Sequence, residues 1–401
     1  MSKLLKKIMV SIIGGGVLIS YLFALNTFAM AKDSVKNIKL SSKGKNAYMD
    51  FSVNLLKNNL STDKNVLISP LSVSSALGMT ANGAKKDTLL GMEKALGGNI
   101  KDLNNFFKNY KDMAVNNKSI SIANSIWVKD IKGLSVNDDF IKKNKEIYSV
   151  SVYKEKFDSK TKNKINKWVN INTKGMIKEI VKGIKPDSLM YLINALSFDD
   201  EWRDKYSKAS IEKVDFTNYK GKKKSVDMMY SSEWTYLSGN DAKGFIKPYK
   251  SGYALACVMP DKDIIKYISS LNGKKLAKLL KNQEAVKVNA GLPMFKSETD
   301  VTLNASLKKM GMIQAFDANK ADFSGMFKSD TNVCINEVLH KTFIEVNSAG
   351  TKAGAVTSIE MKETALQPVE PKEVVLNKPF LYMIIDTGNN LPVFMGVMLD
   401  I

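Results

Sequence analysis

The chain has 401 residues, 44% of them hydrophobic, which is enough for a substantial core and argues against disorder as the default state. Sixty Lys and Arg against forty Asp and Glu give a net charge of +20. The lysines are scattered through nearly every segment, and no basic helix face carries interleaved aromatics. That excludes a specific nucleic-acid surface and leaves weak polyanion binding at most.

Residues 1–31 read as a removable export signal. Lys3, Lys6 and Lys7 form a charged start, Ile8 to Leu25 is largely apolar, and Ala29-Met30-Ala31 offers a small-x-small cleavage site. A retained membrane anchor is the alternative, opposed by Gly14 to Gly16, which interrupt the apolar run. No cysteine follows the run, so a lipid anchor is not indicated. Cleavage removes three lysines and no acids, lowering the net charge from +20 to +17. Residues 32–401 are then expected to form one domain of a secreted, extracellular protein with no membrane contact.

Asn46 to Leu60 carries Tyr48, Phe51 and Leu55 at helical spacing, and Leu71 to Ala81 continues as a second helix behind Ser69-Pro70. Strand-like runs alternate with helices at Ser119 to Val128, Met190 to Phe198, Ala254 to Met259 and Ala285 to Val288. Lys222 to Lys224 follow Gly221 as a solvated turn. Cys257 and Cys334 lie in apolar strand-like runs and suit either a disulfide or two buried free thiols. Val333 to Asn347 reads as one long strand, and Phe380 to Asp386 and Val393 to Leu399 close the chain. Helices with several sheets, and no linker or repeat, predict the α+β class.

The stretch from Gly350 to Met361 is a strand pattern where a loop belongs. Thr351, Ala353, Ala355, Thr357, Ile359 and Met361 form one alternating set, small first and then apolar. The intervening set is mostly polar or small. Glu363 to Lys378, with Pro368, Pro371 and several charges, reads as exposed loop. A latent strand inside a loop points to a segment that changes state.

Catalytic constellations are missing. His340 is the one histidine, there is no Cys-x-x-Cys, no Gly-x-Ser-x-Gly elbow and no glycine-rich phosphate loop. Cys334 and His340 are six residues apart; on one extended strand that is about 20 Å, too far for a thiol–imidazole pair. Paired carboxylates stay open, because their separation in space is unknown. No cofactor or metal is implied, and the chain is not expected to be an enzyme.

With these residues in view, the chain resembles the serpin family over nearly its whole mature length. Asn65-Val66-Leu67-Ile68-Ser69-Pro70-Leu71-Ser72 is similar to the family's buried serine motif. Ile165-Asn166, Trp168 and Asn172 to Ile177 match another family segment, and Asn194, Phe198 and Trp202 fit a central strand and its upper end. Leu292 to Phe295, Leu307 to Gly311 with Ala315-Phe316, and Asp322 to Gly325 come next in the family's order. His340-Lys341 precedes the loop, and Pro379-Phe380 and Phe394-Met395-Gly396 come after it. Each match alone is weak, but their order and spacing together are specific.

The resemblance implies the serpin fold, with eight or nine helices around three β-sheets and a reactive loop at about 349–376. It implies a bait loop that a serine protease attacks to form an acyl-enzyme, and that then inserts into the central sheet and distorts the enzyme. Gly350, Thr351, Ala353, Ala355 and Thr357 would be the hinge, small enough to enter a packed sheet. Ser69, Ser72, Asn194 and His340 would gate sheet opening, and Trp202 would stand where the loop enters. For His340 and Trp202 a plain core role is the alternative. The family's usual spacing puts the reactive bond at Thr364–Ala365, with Ala365–Leu366 and Leu366–Gln367 as alternatives. Such small residues suit elastase-like or subtilisin-like proteases, and the protein is expected to act as a monomer. The competing functions are a non-inhibitory serpin-fold binding protein and a cross-class inhibitor of a cysteine protease. Charge or bulk at Thr351 and Ala353 would have favoured the former. Ser348 and Lys352 stand where the family usually has glutamate, and Asp200 where a glycine is usual. Ser348 thus raises the question of what steadies the base of the loop, Lys352 falls on the outward-facing set, and Asp200 is a departure in the local match before Trp202.

Overall fold

The computed structural model describes residues 40–115, 119–185, 187–239, 241–328, 333–351 and 370–401. α1 (Ser42–Asn58) starts where the Ser41 hydroxyl accepts the Gly44 amide, and it buries Tyr48, Phe51 and Leu55 along one stripe. β1 (Val66–Ile68) runs into α2 (Pro70–Ala81), capped by the Ser69 side chain, with Pro70 at a position that needs no amide partner. Gly78 on α2 admits the side chain of Tyr148; a Cβ there would lie 2.2 Å from its hydroxyl. α3 (Lys86–Leu96) ends on Gly97 in the left-handed region, and α4 (Ile100–Val115) comes after it.

β2 (Ile120–Lys129), α5 (Asp138–Tyr148), β3 (Val150–Glu155), α6 (Ser159–Asn172) and β4 (Met190–Phe198) come next. β5 (Asp200–Glu201) continues the line of β4 past one residue. Then come β6 (Ile211–Thr217), β7 (Lys223–Glu233), β8 (Tyr236–Ser238), β9 (Ala242–Pro248) and β10 (Tyr253–Pro260). α7 (Ile264–Ser270) and α8 (Gly273–Lys281) lead to β11 (Gln283–Glu284), β12 (Val288–Pro293), β13 (Phe295–Thr302) and α9 (Asn304–Lys309). β14 (Leu339–Val346), β15 (Gly350–Thr351), β16 (Lys372–Val375), β17 (Phe380–Asp386) and β18 (Leu391–Met398) complete the chain.

A seven-stranded sheet, β1-β18-β17-β10-β9-β8-β11, lies at the heart of the molecule. Every residue of β10, β17 and β18 is buried, so these strands are apolar throughout rather than alternating. A four-stranded sheet, β16-β12-β7-β6, adds β16 parallel to β12. The remaining strands form β3-β2-β4 and β13-β14-β15-β5, which meet where β4 passes into β5. Taken as one surface, these two groups make the third sheet of the expected α+β serpin fold. Nine α-helices surround the sheets among the described residues.

Several predicted elements shift. The long strand expected over Val333 to Asn347 is a strand only from Leu339 to Val346. Residues 333–338 pack against the core without joining a ladder: the Ile335 amide bonds the Ala315 carbonyl and the Val338 amide bonds Asn304 Oδ1. The apolar run there is packed but not paired. The strand expected at Ala285 to Val288 lies later, at Val288–Pro293. Both ends of the 349–376 segment are strands, and Val374 and Leu376 are fully buried, so Glu363 to Lys378 is not loop throughout. Lys222 to Lys224 are exposed as expected, but only Lys222 is in the turn: Lys223 and Lys224 open β7, paired with Thr217 and Phe216. Both cysteines are free, with the Cys257 thiol buried and its ionisation pushed up by that burial.

Candidate functional site

β4 and β14 face each other without sharing a ladder, and only at one end does the chain bridge between their lines. There β15 is seated, with Thr351 beside Val346 on β14 and beside Asp200 on β5. Thr351 is buried, and its hydroxyl lies 2.6 Å from the Tyr249 hydroxyl. Two residues of the predicted hinge, Gly350 and Thr351, therefore already act as a strand between β14 and β5. Ala353, Ala355, Thr357, Thr364 and Ala365 lie outside the described residues.

The turn before β15 is held by many backbone bonds. Asn347 Oδ1 accepts the Ala349 and Gly350 amides, and the Asn347 amide bonds the Gly350 carbonyl. The Trp202 amide bonds the Ala349 carbonyl at 3.0 Å, the Tyr206 amide bonds the Ser348 carbonyl at 3.1 Å, and Trp202 Nε1 donates to the Asn347 carbonyl at 2.8 Å. Trp202 is fully buried and stacks on Tyr249 with ring centroids 4.4 Å apart. The loop base thus rests on Asn347 and Trp202 and makes no use of a charge at position 348. Asp200, opposite Thr351, is buried too. Its carboxylate accepts the Glu201 amide and both the amide and hydroxyl of Ser251, while burial pushes its pKa above the usual carboxylate value.

Lower in the same gap, the predicted gate residues form one chain of hydrogen bonds. The Ser69 amide donates to His340 Nε2 at 3.0 Å, and the Ser69 hydroxyl donates to the Val393 carbonyl. The Ser72 amide donates to the Ser69 hydroxyl, and the Ser72 hydroxyl donates to Asn194 Oδ1. An acceptor at Nε2 requires the neutral ring with its proton on Nδ1. Burial agrees, lowering the pKa of His340 to about 4. The chain of bonds extends beyond the residues that the motifs indicate. Asn194 Nδ2 donates to Asn124 Oδ1 at 2.5 Å, and Asn124 Nδ2 donates to the Tyr148 carbonyl at 2.6 Å. Asn124 was missed although a signal existed: it is an amide in phase with the buried Ile126 and Val128 on a predicted strand.

Alternation along β4 separates two faces. Ile193 and Ala195 join a small cluster with Ile165 and Val169 of α6, whereas Asn194, Leu196 and Phe198 face α2 and the main core. Thr351, Ile344, Thr342 and His340 face that same core. No group of three or more potential metal ligands exists among the described residues.

Comparison with known proteins bears on this arrangement. Residues 46–401 match the family model of the serpins (serine protease inhibitors). The chain is a serpin. It is similar to the human leukocyte elastase inhibitor, with 27% identity over 380 residues, covering 89% of this chain and 98% of that one. The thermophilic serpin tengpin in its native state superposes with a TM-score of 0.85 at 43% identity, covering 90% of this chain and 95% of that one. Tengpin in its latent state gives 0.80 at 42% identity, covering 90% and 99%. Thyroxine-binding globulin in complex with thyroxine shares the fold at 24% identity, with a TM-score of 0.77 over 89% of this serpin and 98% of that chain.

Proposed function

We propose that this serpin is an irreversible, conformational-trap inhibitor of serine proteases, exported after loss of residues 1–31 and acting as inhibitor rather than enzyme. The serine of a protease attacks the Thr364 carbonyl, the Thr364–Ala365 bond breaks with the Ala365 amine leaving, and the loop, now esterified to the enzyme, inserts between β4 and β14 and carries the enzyme with it. Serpins typically pair with target proteases, and for this one the small residues at the bond favour elastase-like or subtilisin-like enzymes.

The observation that carries the reading is the seated hinge. On insertion, continuing the antiparallel register of Thr351 down the gap would bring Ala353 between Phe198 and Ile344, Ala355 between Leu196 and Thr342, and Thr357 between Asn194 and His340. Small side chains would thus enter beside the larger Phe198, Ile344 and Leu196, and a hydroxyl would meet the polar gate. The two β edges lining the gap each leave a row of backbone donors and acceptors that one inserted strand would satisfy.

The test incubates the protein with elastase-like and subtilisin-like proteases, and with a papain-like cysteine protease as the cross-class arm. A covalent complex stable to detergent is expected with the serine enzymes, together with release of a C-terminal fragment beginning at Ala365. Cleavage without any trapped enzyme would instead make the protein a non-inhibitory binding member of the family. A fragment produced by cutting after Lys362 within the complex would move the reactive bond.

A further inference from the structure

Beneath Trp202 lies an ion pair taken wholly out of water. Lys247 Nζ is 2.7 Å from Glu233 Oε1, with 1% and 6% of the two side chains exposed. Other ion pairs, such as Lys164–Glu155 and Lys341–Glu298, keep one side chain 57% exposed. Glu233 is the last residue of β7, and Lys247 is on β9, so the pair ties two different sheets together. The Ser231 hydroxyl donates to the same carboxylate oxygen at 2.7 Å. The ammonium also lies over two aromatic faces, 4.2 Å from the Tyr206 ring centre and 5.5 Å from that of Trp202.

Those two aromatics are the residues that hold the hinge turn, through the Trp202 amide, the Trp202 indole N–H and the Tyr206 amide. A buried ammonium is costly unless its surroundings are fixed, and leucine or methionine would fill the space at no such cost. What an aliphatic chain cannot do is fix ring orientation, because the attraction of a cation to a π face is directional. Two rings facing one cation that is itself anchored to a carboxylate have one arrangement.

We infer that the Lys247–Glu233 pair is a positioning device: it fixes Trp202 and Tyr206 so that Gly350 and Thr351 stay seated between β14 and β5. The pair acts through the rings and does not touch the loop. The hinge is also where the proposed loop insertion starts, so in its consequence for inhibition this inference rests on that reading. The seating itself is measured with no protease present, so failure of one leaves the other standing.

The experiment is native-state hydrogen exchange on the full chain, following the amides of Trp202, Tyr206 and Asn347 against reference amides in β10 and β17. Lys247→Met and Glu233→Gln each leave a polar partner orphaned, and both hinge and reference amides are expected to exchange faster. The double variant Lys247→Met, Glu233→Met removes both charges. Its reference amides return to the wild-type rate, while the three hinge amides still exchange at least tenfold faster. Lys247→Arg, which keeps a cation between the rings, stays within about threefold of wild type at all of them. A double variant whose hinge amides are as protected as in the parent overturns the inference, since the pair would then be filling space only. Should the double variant not fold, Tyr206→Leu decides: it leaves the ion pair in place, and unchanged exchange at Trp202 and Asn347 overturns the inference equally.

Discussion

His340 is worth most while it is neutral, since only then can Nε2 accept the Ser69 amide. Free imidazole titrates at about 6.5 and this one at about 4. Between those values the unfolded chain binds the extra proton and the native one does not, so stability falls as the pH drops through that window. The loss saturates near pH 4 at roughly 3 kcal/mol, and above 6.5 this residue adds no pH dependence. Burial of Asp200 and Asp386 raises their carboxyl groups and acts with the opposite sign. The comparison must therefore be between wild type and variant. His340→Ala is expected to flatten the pH 4 to 6.5 limb of urea unfolding. At pH 7 it should lower stability by about 1–3 kcal/mol through the orphaned Ser69 amide and hasten spontaneous conversion to a loop-inserted form. Parallel pH limbs for the two proteins would place the titration elsewhere. At this scale much was legible: Ser69, Ser72, Asn194 and His340 all stand out through motifs. Asn124, Lys247 and Glu233 do not, because their importance comes from partners remote in sequence, and nothing in one strand announces what the next will carry.

At the scale of elements, β15 matters as the first rung of a longer strand. The register that seats Thr351 beside Val346 and Asp200 would bring Ala355 between Leu196 and Thr342. Arginine at that place would carry a charge into a face lined by buried side chains, at a cost of several kcal/mol. Ala355→Arg is therefore expected to leave cleavage of the loop intact while raising the moles of inhibitor consumed per enzyme trapped at least tenfold. Unchanged stoichiometry would mean that residue 355 never enters the sheet. Alternation in the sequence predicted a strand from Gly350 onward, and the described part of it, Gly350–Thr351, is one. The apolar run misled at Val333 to Asn347, because such a run reports burial, and burial does not say whether a ladder partner is present; at β16 the neighbouring prolines and charges hid a short strand.

On the scale of the whole molecule, two strand edges face each other across a gap and one segment of chain has the pattern to fill it. Filling it would add ten or so backbone hydrogen bonds at roughly 1 kcal/mol net each and bury the inserted face, against an ordering entropy of about 1–2 kcal/mol per residue. The clipped protein is expected to melt more than about 10 °C above the intact one, read by circular dichroism. An unaltered midpoint after clean cleavage would leave the gap unfilled and the inhibitory reading without its driving force. The free cysteines do not constrain this motion, since neither ties the moving strands covalently.

The sequence by itself carried the fold class, the family and the residues proposed as hinge and gate, because each is written in local terms: periodicity, side-chain size and short motifs in a fixed order. Tertiary structure alone decided that the first two hinge residues are already seated, that Asn347 and Trp202 support the loop base, and that an ion pair lies under them. These depend on which strands become neighbours, and pairing between distant segments is set by the sum of packing over the whole chain, which no single stretch of residues encodes.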